Sequence, residues 1–205
     1  MKPIELAIAK TLAYSDIFDY PLTAAELHRF LISPRKTAKT NLPRQQYYYL
    51  PGRKNLISLR KKRARFSQLK LKQIQPLVNL LKFIPSIRLV AVTGALAMNN
   101  ADEFDDIDLM IITTANRLWL TRLITLLILA ISGSLRRFGQ VIVNNKICPN
   151  LWLDETALTL PPRLRNLYTA HEIAQIKPLF DRFNTYQQFI SANLWIKHYL
   201  ANWSI

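Results

Sequence analysis

The chain has 205 residues, half of them apolar, which suits one domain or two small ones with a packed core and argues against global disorder. Its formal net charge of +15 favours polyanionic partners. The single cysteine, Cys148, excludes an intramolecular disulfide and a multi-cysteine zinc cluster, and we expect it to be a small core residue on a strand. Residues 1–8 lack a long apolar stretch with a cleavage site, so we expect a cytoplasmic location.

The N-terminal region, residues 1–59, is predicted to form a winged-helix-like module. Apolar residues at helical spacing indicate a first helix from Ile4 to Tyr14. Thr23 and Glu26 have the spacing of a capping box, which predicts that a second helix begins there and continues to about residue 31.

The rest of this module is predicted to be degenerate. The run 46–59 indicates a hairpin that turns at Pro51-Gly52 and would serve as the wing. The recognition helix would have to be formed by residues 35–44, which are few and include Pro43. We therefore expect a packing or docking module and no sequence-specific DNA reader. The basic residues of this segment are Arg35, Lys36, Lys39 and Arg44.

A basic linker helix is predicted within residues 60–84. From Leu27 to Ala101 the sequence has sixteen Lys and Arg and no Asp or Glu. One interpretation is a solvated basic face, and the other is a face that binds nucleic acid or another polyanion. The candidate polyanion-binding residues are Arg60, Lys61, Lys62, Arg63 and Arg65. The apolar stripe predicted to be buried comprises Leu69, Leu71, Ile74, Leu77, Leu80 and Leu81.

An acidic cluster contrasts with this basic region. Strands are predicted before it, at Ile87–Gly94, and after it, at Ile107–Ile112. Asp106 and Asp108 are two residues apart and would share one strand face, where a cation such as Mg²⁺ would relieve their repulsion. The alternative is that the acids only cap a loop. The cluster consists of Asp102, Glu103, Asp105, Asp106 and Asp108.

The two edges of this cluster resemble a known signature. The run Thr93-Gly94-Ala95, followed by Asp106 and Asp108 between apolar residues, is similar to the DNA polymerase β-like nucleotidyltransferase superfamily. That pattern is Gly-Ser, a spacer, then two aspartates alternating with apolar residues. The longer run also resembles an uncharacterised bacterial subgroup with an N-terminal winged-helix-like segment.

The resemblance implies an α/β (α+β) fold in which helices flank a small mixed sheet, with its core at residues 85–160. It also implies transfer of a nucleoside monophosphate from a nucleoside triphosphate (NTP) to an acceptor hydroxyl. Asp106 and Asp108 would hold two Mg²⁺ ions in an active enzyme. The residues matching the nucleotide-binding turn are Thr93, Gly94 and Ala95.

The third carboxylate of the superfamily is not matched. The candidate strand, 146–153, places Asn150 there, and asparagine can coordinate a metal but cannot act as a general base. Asp154 or Glu155 could substitute if the strand ended early or bulged, although a solvated turn is the simpler interpretation. Ala95 also lacks the usual hydroxyl. The alternative function is therefore an inactive fold that binds nucleic acid or neutralises another protein.

A very apolar helix is predicted at residues 118–132. It is shorter than the roughly twenty residues that span a bilayer, and Arg122 interrupts it. We expect a buried or membrane-touching helix, so peripheral membrane contact stays open. Arg136 and Arg137 follow it and suit a helix C-terminus or phosphate contact.

The C-terminal segment, residues 161–205, is predicted to contain two helices, at 164–176 and 184–200, separated by Pro178. The three histidines are not at metal-ligand spacing and are interpreted as packing residues. They are His28, His171 and His198.

Overall fold

The structure is a computed structural model that describes residues 2–37, 45–141 and 143–205. It is mixed α/β, with a four-stranded sheet flanked by helices, as the sequence predicts. The described residues divide into two compact units. Unit 1 comprises the described parts of Met1–Lys62, Pro162–Ala174 and Leu194–Ile205, and unit 2 comprises Arg63–Pro161 and Gln175–Asn193. The C-terminal segment, residues 161–205, contributes to both units.

The α-helices follow in chain order. They are α1 (Pro3–Asp16), α2 (Ala24–Arg29), α3 (Leu56–Leu81), α4 (Gly94–Ala97), α5 (Leu118–Ile131), α6 (Leu167–Gln175) and α7 (Thr185–Ala192). Two short 3₁₀ helices cover Pro162–Leu164 and Leu194–His198. The strands are β1 (Ile87–Val92), β2 (Ile107–Thr113), β3 (Ile147–Asp154) and β4 (Lys177–Asp181).

Unit 1 contains the predicted capping box. The Glu26 carboxylate accepts from the backbone N–H of Thr23 at 2.8 Å, and the Thr23 hydroxyl accepts from the backbone N–H of Glu26 at 3.3 Å. The predicted hairpin wing is wrong, because the chain turns at residues 51–52 and enters α3 at Leu56. Tyr48 instead forms an isolated antiparallel bridge with Leu22.

The segment proposed for recognition is only partly described. Residues 35–37 are not helical, whereas Lys39, Pro43 and Arg44 lie outside the described residues.

The sheet of unit 2 has the order β3-β2-β1-β4. β1 is antiparallel to β2 and β4, whereas β2 and β3 are parallel and connected through α5. The strands predicted at Ile87, Ile107 and Lys146–Leu153 are confirmed within a few residues. β4 was missed because it is short and contains Pro178, which is tolerated on this edge strand. β4 therefore separates α6 from α7 in the segment where two helices were predicted.

The core of unit 2 lies between the sheet and α3. The helix begins four residues earlier than predicted, and its buried side differs from the predicted stripe. Leu69 and Leu80 are each 48 % exposed, whereas Ser67 and Lys70 are buried. The α3 residues buried in the apolar cluster are Ile74, Val78 and Leu81.

The apolar segment after β2 is the predicted helix, α5. Within the described ranges, no helix combines the length and apolar character needed to cross a membrane.

Candidate functional site

The Gly94 turn and the aspartate pair meet at one end of the sheet. Asp106 immediately precedes β2 and Asp108 is its second residue, while Gly94 follows β1. The antiparallel pairing of β1 and β2 continues one step further, because the backbone N–H of Thr93 donates to the carbonyl oxygen of Asp108 at 3.1 Å. Two motifs about a dozen residues apart in sequence are thus adjacent in space.

Gly94 lies directly against the Asp108 carboxylate. Its φ of +58° is in the left-handed region, and an added Cβ would be 3.3 Å from Asp108 Oδ2. Both observations favour glycine here. Thr93 is a buried N-cap residue of α4, and Ala95 is exposed in α4. Ala95 presents a methyl group where the superfamily has a hydroxyl.

The third site residue is Cys148, which the sequence interpretation had assigned to the core. Its strand position lies opposite Asp108, and its sulfur is within 4.8 Å of ligand oxygens of Asp106 and Asp108. The register of β2 and β3 then shifts, since Leu109 pairs with Pro149 and Met110 with Leu151. This shift leaves the intervening residue outside the pairing, as in a β-bulge.

That intervening residue is Asn150, which also reaches the site. Its side-chain nitrogen donates to Asp108 Oδ1 at 2.8 Å. In this arrangement Asn150 contacts the carboxylate and does not complete a set of acidic ligands. The site thus contains two aspartates, a thiol and an amide.

The negative charge of the Asp108 carboxylate is only partly offset by positive charge nearby. Burial, followed by the negative charge of Asp106, raises the pKa of Asp108 to about 6. Burial and the neighbouring Asp108 also raise the pKa of the Cys148 thiol, so it is neutral at physiological pH. The nearby cation is Arg136, whose guanidinium pairs with Asp106 Oδ2 at 2.5 Å. The aspartate pair can therefore accept additional positive charge.

A face of α3 holds the acidic loop that leads into β2. Arg63, Ser67 and Lys70 are four and three residues apart and so share one side of the helix. The ammonium of Lys70 donates to the carbonyl oxygens of Glu103 and Asp105 at 3.0 and 2.8 Å.

Lys70 and Ser67 each make one further contact on this side of α3. Lys70 also donates to Asn145 Oδ1 at 2.8 Å, and Ser67 accepts the backbone N–H of Ala101 at 3.0 Å. Lys70 is only 2 % exposed, and burial lowers its pKa. We infer that Lys70 positions the loop that presents Asp106.

The basic residues proposed for polyanion binding fall into two groups. Arg60 pairs with Glu26 at 2.7 Å, and Arg63 lies 3.8 Å from Asp102. These two guanidinium groups therefore have acidic partners within the chain. The remaining three are exposed on α3, and they are Lys61, Lys62 and Arg65.

The suggestion that Asp154 or Glu155 completes the site is wrong. Asp154 pairs with Thr113 at the far end of β2, whereas the site is at Ile107. Glu155 instead accepts from Arg88 at 3.0 Å. The simpler interpretation of these acids as turn residues is therefore the better one.

The donor set fits Mg²⁺ through its carboxylates. This cation takes one or two carboxylates and completes its shell with water and phosphate oxygens, which matches Asp106 and Asp108. The thiol of Cys148 is not a ligand for a hard cation, although it would suit Zn²⁺. A bound metal would share Asp106 with Arg136 or displace it.

Two residues of the site, Cys148 and Lys70, were not identified from the sequence. Cys148 had a usable signal, because it is two residues before Asn150 and would lie on the same strand face. Lys70 had none, since the facing side of a long helix can be placed only by tertiary structure. Arg136 was expected to suit a helix C-terminus or phosphate contact, and in the structure it pairs with Asp106.

Comparison of this chain with protein-family models, curated proteins and solved structures finds no match. The nucleotidyltransferase resemblance therefore stays a prediction based on the Gly94 turn and the two aspartates.

Proposed function

We propose that the chain is a nucleotidyltransferase of the polymerase β-like type, which transfers a nucleoside monophosphate from an NTP to an acceptor hydroxyl. One observation carries the proposal. Gly94, the first residue of α4 after β1, lies so close to Asp108 that an added Cβ would be 3.3 Å from its Oδ2, beside a second aspartate that precedes β2. A bare backbone next to paired carboxylates provides space for a phosphate chain and ligands for its cation.

Each residue has a separate role in this proposal. Asp106 and Asp108 would hold Mg²⁺, which supplies charge neutralisation for phosphoryl transfer when bound. Gly94 leaves space for the triphosphate beside the carboxylates. Lys70 keeps the acidic loop in place through its contacts to Glu103 and Asp105. Arg65, an exposed cation of α3 in the same unit as the aspartates, would attract polyanionic substrates.

A second function is favoured by the composition of the site. Arg136 already pairs with Asp106, Cys148 and Asn150 stand where a third acid would be expected, and Ala95 lacks a hydroxyl. A fold with these features would bind nucleic acid through exposed basic residues, or neutralise a partner protein, without catalysis. Polyanion binding would then be sensitive to salt and indifferent to Mg²⁺.

Titration calorimetry with a non-hydrolysable NTP analogue, with and without Mg²⁺, separates these two functions. The nucleotidyltransferase proposal expects Mg²⁺-dependent binding that is lost in the Asp106→Asn/Asp108→Asn double variant. The matched control is Asp154→Asn/Glu155→Gln, which removes the same charge at the far end of β3 and should leave binding unchanged.

Binding of the NTP analogue that depends on neither Mg²⁺ nor the aspartate pair would contradict the nucleotidyltransferase proposal. If the protein instead bound a single-stranded oligonucleotide in a salt-sensitive way and no NTP analogue, the second function would replace it.

A further inference from the structure

Helix α5 of unit 2 turns its more apolar side outward. Its fully buried positions are Thr121, Thr125 and Leu129. Amphipathic helices of soluble domains show the opposite arrangement, with the apolar stripe facing the core. The large apolar side chains that α5 exposes are Trp119, Leu120, Leu123, Ile124, Leu127 and Ile131, with exposures from 37 to 87 %.

The inner side of α5 makes a polar contact with the residue that precedes β1. The Thr121 hydroxyl donates to the carbonyl oxygen of Arg117 at 2.7 Å and lies 2.6 Å from the Ser86 hydroxyl. A rotation that buried the apolar side would remove the contact with Ser86, whereas the bond to Arg117 lies within the helix. The outer side is therefore a stable apolar face, and a continuous apolar face of this kind indicates an interaction surface.

The surroundings of this face are basic. Between Leu109 and Leu153 the sequence has five Lys and Arg and no Asp or Glu. Arg117 is exposed at the start of α5, and Arg122 lies 5.6 Å from the Trp119 ring centroid, where its charge flanks the apolar face. The partner should therefore combine an apolar interior with negative charge at its surface.

A cavity of about 480 Å³ lies at the C-terminal end of the same helix. Its walls include Ala130 on α5 together with Arg137, Phe138 and Lys146. The Lys146 ammonium donates to the carbonyl oxygen of Gly133, which holds it in this region, and the Phe138 side chain is fully exposed. Apolar and cationic groups thus adjoin at the end of the face, in a space large enough for a phosphate headgroup.

We propose that the outer face of α5 binds the surface of a membrane that contains anionic lipids. Fourteen residues of helix extend about 21 Å. This is shorter than the roughly 30 Å of a hydrocarbon core, so the helix would lie in the plane of the interface. Trp119 and the flanking arginines suit the headgroup level. A second copy of the chain is a poorer partner, because each copy carries a net charge of +15.

Vesicle co-sedimentation tests this proposal. The protein should bind vesicles of mixed phosphatidylcholine and phosphatidylglycerol, bind pure phosphatidylcholine much more weakly, and be released as salt shortens the Debye length. Leu123→Ser/Leu127→Ser should weaken binding roughly tenfold or more. The matched control is Leu69→Ser/Leu80→Ser on α3, where the leucines have similar exposure, and it should bind like the unmodified protein. Arg137→Glu should weaken binding to the mixed vesicles alone.

Several results would overturn the proposal. These are absence of binding to mixed vesicles, equal binding of Leu123→Ser/Leu127→Ser, or equal binding to neutral vesicles. A dimer in sedimentation equilibrium that dissociates in Leu123→Ser/Leu127→Ser would assign the face to a second copy. Binding to polyglutamate that depends on these leucines, without vesicle binding, would assign it to an acidic protein. None of the substituted leucines is part of the aspartate site, so its NTP test can fail or succeed separately in the leucine variants.

Discussion

Glu26 in unit 1 and Asp108 in unit 2 are both partly buried carboxylates, and their surroundings shift their pKa values in opposite directions. Burial acts to raise the pKa of Glu26, but hydrogen bonds from Arg60 and Thr23 lower it below its usual value. Burial and the charge of Asp106 raise the pKa of Asp108 to about 6. A buried carboxylate that has a cation and hydrogen-bond donors beside it stabilises the fold. A buried carboxylate with too little positive charge beside it is suited to binding a cationic ligand.

One of the two largest expected effects on stability follows from removing the charge of Glu26. Glu26→Gln removes the charge that Arg60 pairs with and should destabilise unit 1 by about 2–3 kcal/mol, because the guanidinium is left buried without its partner. Urea unfolding at pH 7 measures this. Asp19→Asn removes one acid from the exposed pair with Arg53 and should change stability little. Equal effects of the two variants would show that burial of the Glu26 pair does not matter.

Lys70 connects α3 with the acidic loop, and its removal should affect both stability and metal binding. Lys70→Met leaves the carbonyl oxygens of Glu103 and Asp105 without this donor and should cost about 2–3 kcal/mol. Loss of loop positioning should weaken Mn²⁺ binding, measured by electron paramagnetic resonance, by roughly tenfold. Lys72→Met, at an exposed position of the same helix, is the control and should alter neither quantity. Unchanged Mn²⁺ affinity in Lys70→Met would remove its positioning role.

Asp108→Asn should stabilise the metal-free protein, which is the opposite sign from Glu26→Gln. The folded-state pKa of about 6 lies above the ordinary 3.8, so the folded state retains the proton more tightly. Stability contributed by this group therefore falls as pH rises from about 4 to about 6. After allowance for partial exposure, the variant should gain about 1–2 kcal/mol at pH 8 and nothing near pH 4.

Urea unfolding of Asp108→Asn and of the unmodified protein, at pH 8 and near pH 4, measures the contribution of Asp108 alone to stability. His171 has the opposite pH dependence, since burial lowers its pKa to about 4, but it is present in both proteins and cancels. A loss of stability at pH 8 in Asp108→Asn would contradict the claim that this carboxylate lacks compensation.

The smallest effect concerns Gly94. Gly94→Ala places a Cβ at a positive φ and 3.3 Å from Asp108, and should cost about 1 kcal/mol and weaken NTP-analogue binding in calorimetry. Gly133 has a φ of +66° with no atom near its added Cβ. Gly133→Ala should therefore show the backbone cost in thermal unfolding without any effect on nucleotide. If both variants bound the analogue normally, the close approach of Gly94 would have no role in the site.

Local signals in the sequence predicted much of the fold. The spacing of Thr23 and Glu26 predicted the start of α2, and the apolar runs beginning at Ile87 and Ile107 predicted β1 and β2. These features depend on residues close in sequence. The Tyr-rich run before Leu56 suggested a strand, but in the structure the chain turns into α3, so tertiary packing overrides local preference there.

The candidate site could be predicted only in part. Asp106, Asp108 and Gly94 are marked by their own spacing. Cys148 was missed because a lone cysteine on an apolar strand was interpreted as a core residue, although it lies two residues before Asn150. The register shift after Pro149, which leaves Asn150 outside the pairing, is not revealed by sequence. Tertiary packing decides which side of α5 faces the core, so its composition predicted a helix but not that its threonines would face inward.

The most direct test of the central claim is calorimetric titration of Mg²⁺ into the unmodified protein and into Asp108→Asn at pH 8. Because the aspartate pair is short of positive charge, the unmodified protein should bind Mg²⁺ and Asp108→Asn should not. Absence of Mg²⁺ binding to the unmodified protein, or equal binding to Asp108→Asn, would contradict a cation site at Asp106 and Asp108.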